Sequence, residues 1–187
     1  VHHRITNQDN QRDTVQALIE TIHQGYLEKM YVVGNNDDIS LRLKNEYPQF
    51  GADWEVYHHS DFLATLITAG QLQPQQGMDK NLVFHDSCYL GRYNDLYQEP
   101  RTVLNFIAGL KFFEMDRSRN KAFCCGAGGG RMWMEETLGD QKINDARTEQ
   151  ALKLEPDIIG VCCPFCTTMF EDGLKTFDMD EKVKVYD

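Results

Sequence analysis

The chain has 187 residues, 41% hydrophobic and 26% charged, the balance of one large globular domain or two small halves sharing a core. Lys and Arg total 19 against 29 Asp and Glu, a net charge of −10 that argues against a whole-surface role in gripping nucleic acid. No run reaches the ~20 apolar residues of a membrane span, and the start at Val1, without Met or an apolar leader, is that of a chain processed or cut from something longer.

Residues 1–10 are polar, the composition of a frayed terminus. Asp13 is placed to cap a helix through about Lys29, with Val15, Leu18, Ile19, Ile22, Tyr26 and Leu27 on one face. Residues 30–33 read as a buried strand ended by Gly34. Asn35-Asn36-Asp37-Asp38 reads as a turn and N-cap for a helix carrying Ile39, Leu41 and Leu43. A strand is expected over 54–58. Ser60 and Asp61 are expected to cap a helix holding Phe62, Leu63, Leu66 and Ile67, with Gly70 as its stop signal. Residues 71–80 form a polar connection.

The second half repeats the rhythm. Strands are expected over 81–85, 111–115, 157–161 and 183–186. Pro100 sits at the start of a helix through Ile107, and Pro164 opens another through Phe177. A third helix, over 143–154, places Ile143, Ala146, Gln150 and Leu154 on one side. This alternation predicts an α/β fold, mostly parallel sheets with flanking helices. A weak internal repeat suggests pseudo-duplicated βαβ halves. Val32-Val33-Gly34-Asn35 matches Ile159-Gly160-Val161-Cys162 at an offset of 127, and Val56-Tyr57 matches Val185-Tyr186 at 129. In this register Asn36 lies opposite Cys163 and Ile39 opposite Cys166.

All six cysteines follow residue 87: Cys88, Cys124, Cys125, Cys162, Cys163 and Cys166. A disulfide framework spreads its cysteines along a chain, and core thiols have no reason to cluster beside glycine and proline. A metal or redox-cofactor site accounts better for both features. Cys163-Pro164-Phe165-Cys166 falls at a strand-to-helix turn, where helix-terminal amides favour thiolate. Taken alone it suits a thioredoxin-like dithiol, a zinc knuckle or an iron–sulfur ligand pair. Cys124-Cys125-Gly126 needs a sharp turn to aim both sulfurs one way, and Gly126 permits it. Ala127-Gly128-Gly129-Gly130 then offers bare backbone amides to a negatively charged group. A phosphate cradle is the weaker alternative, because neither the P-loop nor the dinucleotide fingerprint is present. Cys88, Cys124 with Cys125, and Cys163 each follow the carboxyl end of an expected strand, so they can meet at one sheet edge.

The spacing C-x35-C-C-x37-C-P-x-C resembles the cysteine-rich CCG domain. That domain occurs in the catalytic subunit of heterodisulfide reductase and in bacterial iron–sulfur subunits of glycerol-3-phosphate and lactate oxidation systems. His85-Asp86-Ser87-Cys88-Tyr89-Leu90-Gly91-Arg92, Phe123-Cys124-Cys125-Gly126 with its glycines, Arg131, Met132 and Trp133, and Cys163-Pro164-Phe165-Cys166 with Met169 carry the likeness. It covers residues 81–187. Residues 1–80 then read as a degenerate, cysteine-free CCG-like half, with Lys44-Asn45-Glu46-Tyr47-Pro48 and His58-His59-Ser60 at its end. The chain also resembles large bacterial oxidoreductases that link an electron-transfer flavoprotein to quinone. In those a tandem CCG unit follows a ferredoxin-like segment and often a membrane anchor, and these 187 residues show neither.

The resemblance implies a noncubane [4Fe-4S] cluster held by Cys88, Cys124, Cys125, Cys163 and Cys166, with Gly126 shaping the cofactor loop. It implies an oxidoreductase subunit that reduces a disulfide or relays electrons. Redox partners follow: a flavoprotein, a ferredoxin-type subunit or a quinone-linked membrane subunit, with no nucleic acid. The expected location is the cytoplasm, with peripheral attachment to the inner membrane through a partner. Two other readings stand beside it: an electron-transfer or structural subunit with another cluster or zinc, and a thiol–disulfide protein using Cys163 and Cys166 alone. Cys162 matches no motif position and reads as a spare core thiol. His85 is a candidate proton donor near Cys88, against a structural role, and the same holds for His58 and His59. Arg92 and Arg131 flank the cysteine loops, as charge offsets or as surface ion pairs. Met132, Trp133 and Met134 read as core or as subunit interface.

Overall fold

The computed structural model of the chain describes residues 31–34, 43–51, 54–135 and 139–187. The helix expected over 13–29, the Asn35 to Asp38 turn and the start of the helix after it lie outside these residues.

Four strands form one all-parallel sheet, in the order β4-β3-β5-β6. They are β3 (Lys80–Phe84), β4 (Leu110–Phe113), β5 (Ile158–Gly160) and β6 (Lys184–Tyr186). A separate parallel pair joins β1 (Tyr31–Gly34) to β2 (Glu55–His58). The fold is therefore α/β with flanking helices, as the alternating pattern implies. The four described α-helices are α1 (His59–Thr68), α2 (Gln98–Asn105), α3 (Ile143–Leu152) and α4 (Pro164–Thr176).

Helices cover both faces of the four-stranded sheet, because its side chains alternate. Leu82, Phe84 and Ile158 point to one face and pack with Leu90, Leu104, Phe112 and Cys162, beside α2. Val83 and Ile159 point to the other and pack with Ala151 of α3, Phe170 and Leu174 of α4, and Cys125, Cys163 and Cys166. The chain moves from β3 outward to β4, then back past β3 to β5. That reversal creates a crevice beyond the carboxyl ends of β3 and β5, the usual place for ligands in such sheets.

The strand pairings bear on the internal repeat. Tyr31 pairs with Glu55 and Ile158 pairs with Lys184, both in parallel. Adding 127 to the first strand and 129 to the second converts one pairing into the other, so β1–β2 and β5–β6 share one register.

Three local expectations are corrected, and one turn was not foreseen. Helix α1 is capped by His58, whose Nδ1 accepts from the Ser60 N–H at 3.3 Å; Ser60 and Asp61 sit inside the first turn. Helix α2 begins at Gln98, two residues before Pro100, and ends at Asn105. Residues 88–92 form a single wide π-turn that periodicity did not announce, closed by the Tyr93 N–H to the Cys88 carbonyl at 3.2 Å. The largest difference concerns α3. The side expected to be apolar, with Ile143, Ala146 and Gln150, is only half-buried, while Asn144, Asp145, Arg147, Thr148 and Ala151 are buried. Helix α3 lies against α4 so closely that a Cβ on Gly173 would stand 2.2 Å from Thr148 Oγ1.

Candidate functional site

Three segments bring cysteines to the carboxyl end of the sheet. Cys88 starts the π-turn that follows β3, and the Gly91 N–H donates to the Ser87 carbonyl at 3.0 Å within it. Cys124 and Cys125 follow β4 after a loop. Gly126 turns that loop with φ of +97°, a conformation that favours glycine, and its N–H donates to Cys124 Sγ at 3.3 Å. A side chain there would also press on the Met169 methyl at 3.2 Å and the Asn144 nitrogen at 3.3 Å. Gly126 thus locks the cysteine loop against the start of α3 and the Met169 side chain of α4. Cys163 precedes α4 in extended conformation, Pro164 follows it, and Cys166 lies in the first turn.

The sulfurs form a connected group. Cys125 and Cys166 are 3.3 Å apart, Sγ to Sγ. Cys124 interacts with Cys125, and Cys163 with Cys166. The Cys88 thiol is close enough to Cys124 to oppose its ionisation. All six cysteines are reduced thiols; Cys88 and Cys124 are half-buried and the others buried. Cys162 belongs elsewhere, in the apolar cluster beneath α2 with Leu82, Phe84, Leu90 and Ile158. Adjacent residues 162 and 163 thus face opposite sides of the sheet.

His85 stands directly after β3, 2% exposed, with a ring nitrogen within 4.8 Å of the sulfurs of Cys125 and Cys166. Its ring meets Phe170 edge-on at 5.1 Å. Burial holds the His85 imidazole below its ordinary range, against the pull of Cys125. Hydrogen bonds from Cys124 and Cys166 push Cys125 strongly down, and His85 adds to this. The same bonds push Cys124 and Cys166 up, with desolvation in support. Thiolate charge therefore collects first on Cys125. Three such sulfurs in one buried place repel one another as thiolates unless a cation holds them together. Soft thiolates are donors for iron–sulfur clusters and zinc, not for magnesium or calcium.

Two buried arginines flank the site, and neither drew attention in the sequence. Arg101 of α2 grips Asp86 with two bonds, 2.7 and 2.9 Å, and also bonds Glu114. Asp86 Oδ2 accepts the Arg119 N–H at 2.7 Å, tying the His85 to Cys88 segment to the loop after β4. Arg147 of α3 is fully buried and donates through Nε to His85 Nδ1 at 3.2 Å. Burial lowers its guanidinium to about 10, still protonated at neutral pH. Both were hidden because arginine in a helix ordinarily signals a solvated face.

The other candidates are placed as follows. Arg92 bridges to the Ala122 carbonyl at 2.8 Å, linking the first two cysteine segments. Arg131 is exposed. His58 caps α1, and its ring lies tilted against the His59 ring with centroids 4.2 Å apart. Trp133 and Met134 are 80% and 66% exposed, which overturns the core alternative for them. With Met132, Phe165, Met169 and Lys142 they line a cleft of about 1010 Å³ beside the glycine loop.

A family model described as a cysteine-rich domain, CCG, matches residues 82–171. The chain is 54% identical over 145 residues to the probable iron–sulfur-binding oxidoreductase FadF of Bacillus subtilis, covering 78% of this chain and 20% of that protein. It is 41% identical over 190 residues to the EtfAB:quinone oxidoreductase of Syntrophomonas wolfei, covering 98% of this chain and 26% of that protein. It is 38% identical over 129 residues to one component of the dihydromethanophenazine:CoB–CoM heterodisulfide reductase of Methanosarcina barkeri, covering 68% of this chain and 31% of that component. The chain thus spans about a fifth to a third of the length of these relatives.

Proposed function

Residues 82–171 are a cysteine-rich domain of the CCG family, and from that premise we propose that this chain is the cluster-bearing part of an iron–sulfur oxidoreductase. Its residues Cys88, Cys124, Cys125, Cys163 and Cys166 hold a noncubane [4Fe-4S] cluster. The observation that carries the reading is the chain of sulfurs around the 3.3 Å Cys125–Cys166 contact, with Cys125, Cys163 and Cys166 packed on one side of one sheet. The donor set fits such a group: thiolates from three segments, backed by the Gly126 turn and a buried cation, Arg147.

When bound, the cluster supplies one-electron chemistry at a site able to take a substrate sulfur or pass electrons to quinone. The chain's own residues do the rest. Cys163 and Cys166 are held at the start of α4, whose dipole favours negative charge there. Met169 and Phe170 exclude water from beneath. His85 donates a hydrogen bond or a proton on the β3 side. The redox partners are a flavoprotein, a ferredoxin-type subunit or a quinone-linked membrane subunit, in keeping with the names of the relatives. With a net charge of −10, this chain suits a partner with a basic docking face, and the complex weakens as salt rises. No helix among the described residues is long and apolar enough to cross a membrane. We place the chain in the cytoplasm, attached at the inner membrane through its partner. Residues 1–80 are the remnant of a second CCG-like half, which the common register of β1–β2 and β5–β6 supports.

Zinc is the rival worth testing, because His85, Cys125 and Cys166 also form a donor set that zinc accepts. The dithiol reading is weaker: Cys163 and Cys166 are 7% and 2% exposed, too buried to attack a bulky disulfide. The full chain, purified without oxygen, is expected to be brown, with about four iron and four sulfide per chain. A colourless protein with one zinc overturns the proposal.

A further inference from the structure

Arg147 carries a chemistry that no cysteine motif announces. It is 0% exposed, on the inner side of α3. Its Nη1 donates to the Arg117 carbonyl and to Gln150 Oε1, each at 2.9 Å, and its Nε donates to His85 Nδ1 at 3.2 Å. Its remaining nitrogen, Nη2, is buried with no hydrogen-bond partner among the described residues. A buried N–H of a charged group is costly to leave unpaired, by about 1–3 kcal/mol or more, so the place is built to face an acceptor.

The bond to His85 fixes the imidazole. A ring nitrogen that accepts a hydrogen bond carries no proton, so the single proton of the neutral ring lies on Nε2. A His85 ring nitrogen also lies within 4.8 Å of the Cys125 sulfur. With Nδ1 committed to Arg147, Nε2–H is the donor left to face that sulfur. Phe170 braces the ring at 5.1 Å and limits its rotation. Arg147, His85 and Cys125 thus form a line of contacts from α3 through the end of β3 to the cysteine loop.

We infer that Arg147 is a positioning residue that, through His85, aims an N–H at Cys125 Sγ and raises the reduction potential of the iron–sulfur group held there. The inference rests on the proposed function above. An N–H directed at a thiolate ligand draws charge from the sulfur and stabilises the reduced, more negative state over the oxidised one.

The test is a redox titration followed by electron paramagnetic resonance on the full chain purified without oxygen. Wild type is compared with Arg147→Met, His85→Phe and the double variant. Each single change is expected to make reduction harder by about tenfold, a negative shift of about 59 mV for one electron. The double variant is expected to match His85→Phe alone, because both act on one hydrogen bond. An Arg147→Met shift that persists unchanged in the His85→Phe background overturns the inference, since the guanidinium then acts by its charge. So does an Arg147→Met potential equal to wild type. If Arg147→Met does not fold, Arg147→Lys keeps the charge without the Nε–H. It is expected to shift negatively too, and a wild-type potential there overturns the inference. Iron and sulfide content of the wild type reports separately on the proposed function. Wild type lacking both removes the inference together with its premise, whereas loaded protein with an unmoved potential removes the inference alone.

Discussion

The two faces of the four-stranded sheet handle charge in opposite ways. At the end of β3, His85 and Asp86 are neighbours, yet each meets a different buried arginine. Asp86 meets Arg101 of α2, with Glu114 as a second carboxylate, and burial of Arg101 is outweighed by these two, which hold its pKa above the ordinary value. His85 meets Arg147 of α3, where no carboxylate among the described residues is bonded to the guanidinium and burial lowers it to about 10. The same division separates Cys162, packed among apolar side chains, from Cys163, packed among thiols. The α2 face is electrostatically closed and stabilises the scaffold. The α3–α4 face holds cationic and thiol groups whose natural complement is a bound metal–sulfur group.

This contrast breaks most sharply at the adjacent cysteines. Cys163→Ala is expected to abolish bound iron, whereas Cys162→Ala keeps full iron content and loses only about 1 kcal/mol in urea unfolding. Equal iron loss in both erases the distinction between the faces. Next in size is Arg101→Met, which strands the Asp86 carboxylate and costs about 3–5 kcal/mol in chemical denaturation. Replacement of a closed scaffold pair has to show in stability; an unchanged denaturation midpoint contradicts the assignment. Gly173→Ala tests the tight seat of α3 on α4 through the 2.2 Å approach to Thr148, with an expected loss of about 1–3 kcal/mol measured by thermal melting.

The smallest effect lies outside both faces, between α1 and α2. Burial, with Glu99 adding, raises the Asp61 carboxyl above its ordinary 3.8. A raised acid penalises the folded state fully above its folded pKa and not at all below the unfolded value. Asp61→Asn is therefore expected to gain about 0.3 kcal/mol at pH 7. That gain vanishes as pH falls below 3.8, where both states are protonated. Denaturation curves at the two pH values check it, and a gain that grows in acid contradicts the sign.

Much of this architecture was legible in the residues. The strands expected over 30–33, 81–85 and 157–161 located β1, β3 and β5, and the cysteine spacing singled out the segments that the structure gathers. What escaped shares one physical cause. Periodicity rules assume that a helix buries its apolar side, but α3 buries Asn144, Arg147 and Thr148 because its inner side meets α4 and the cysteine loop. His58 as a cap and the π-turn at Cys88 escaped likewise, since each depends on hydrogen bonds rather than on hydrophobic pattern. The signal that could have found Arg147 was its position, on the same helical side as Asn144 and Ala151 rather than beside Ile143.

In this reading one end of one sheet gathers five cysteines into a single metal centre. An anomalous difference map at the iron edge, from crystals grown without oxygen, tests it most directly. Iron density within bonding reach of Cys88, Cys124, Cys125, Cys163 and Cys166, with none beside Cys162, is the predicted result. A lone zinc on four sulfurs, or a Cys163–Cys166 disulfide with no metal, contradicts it.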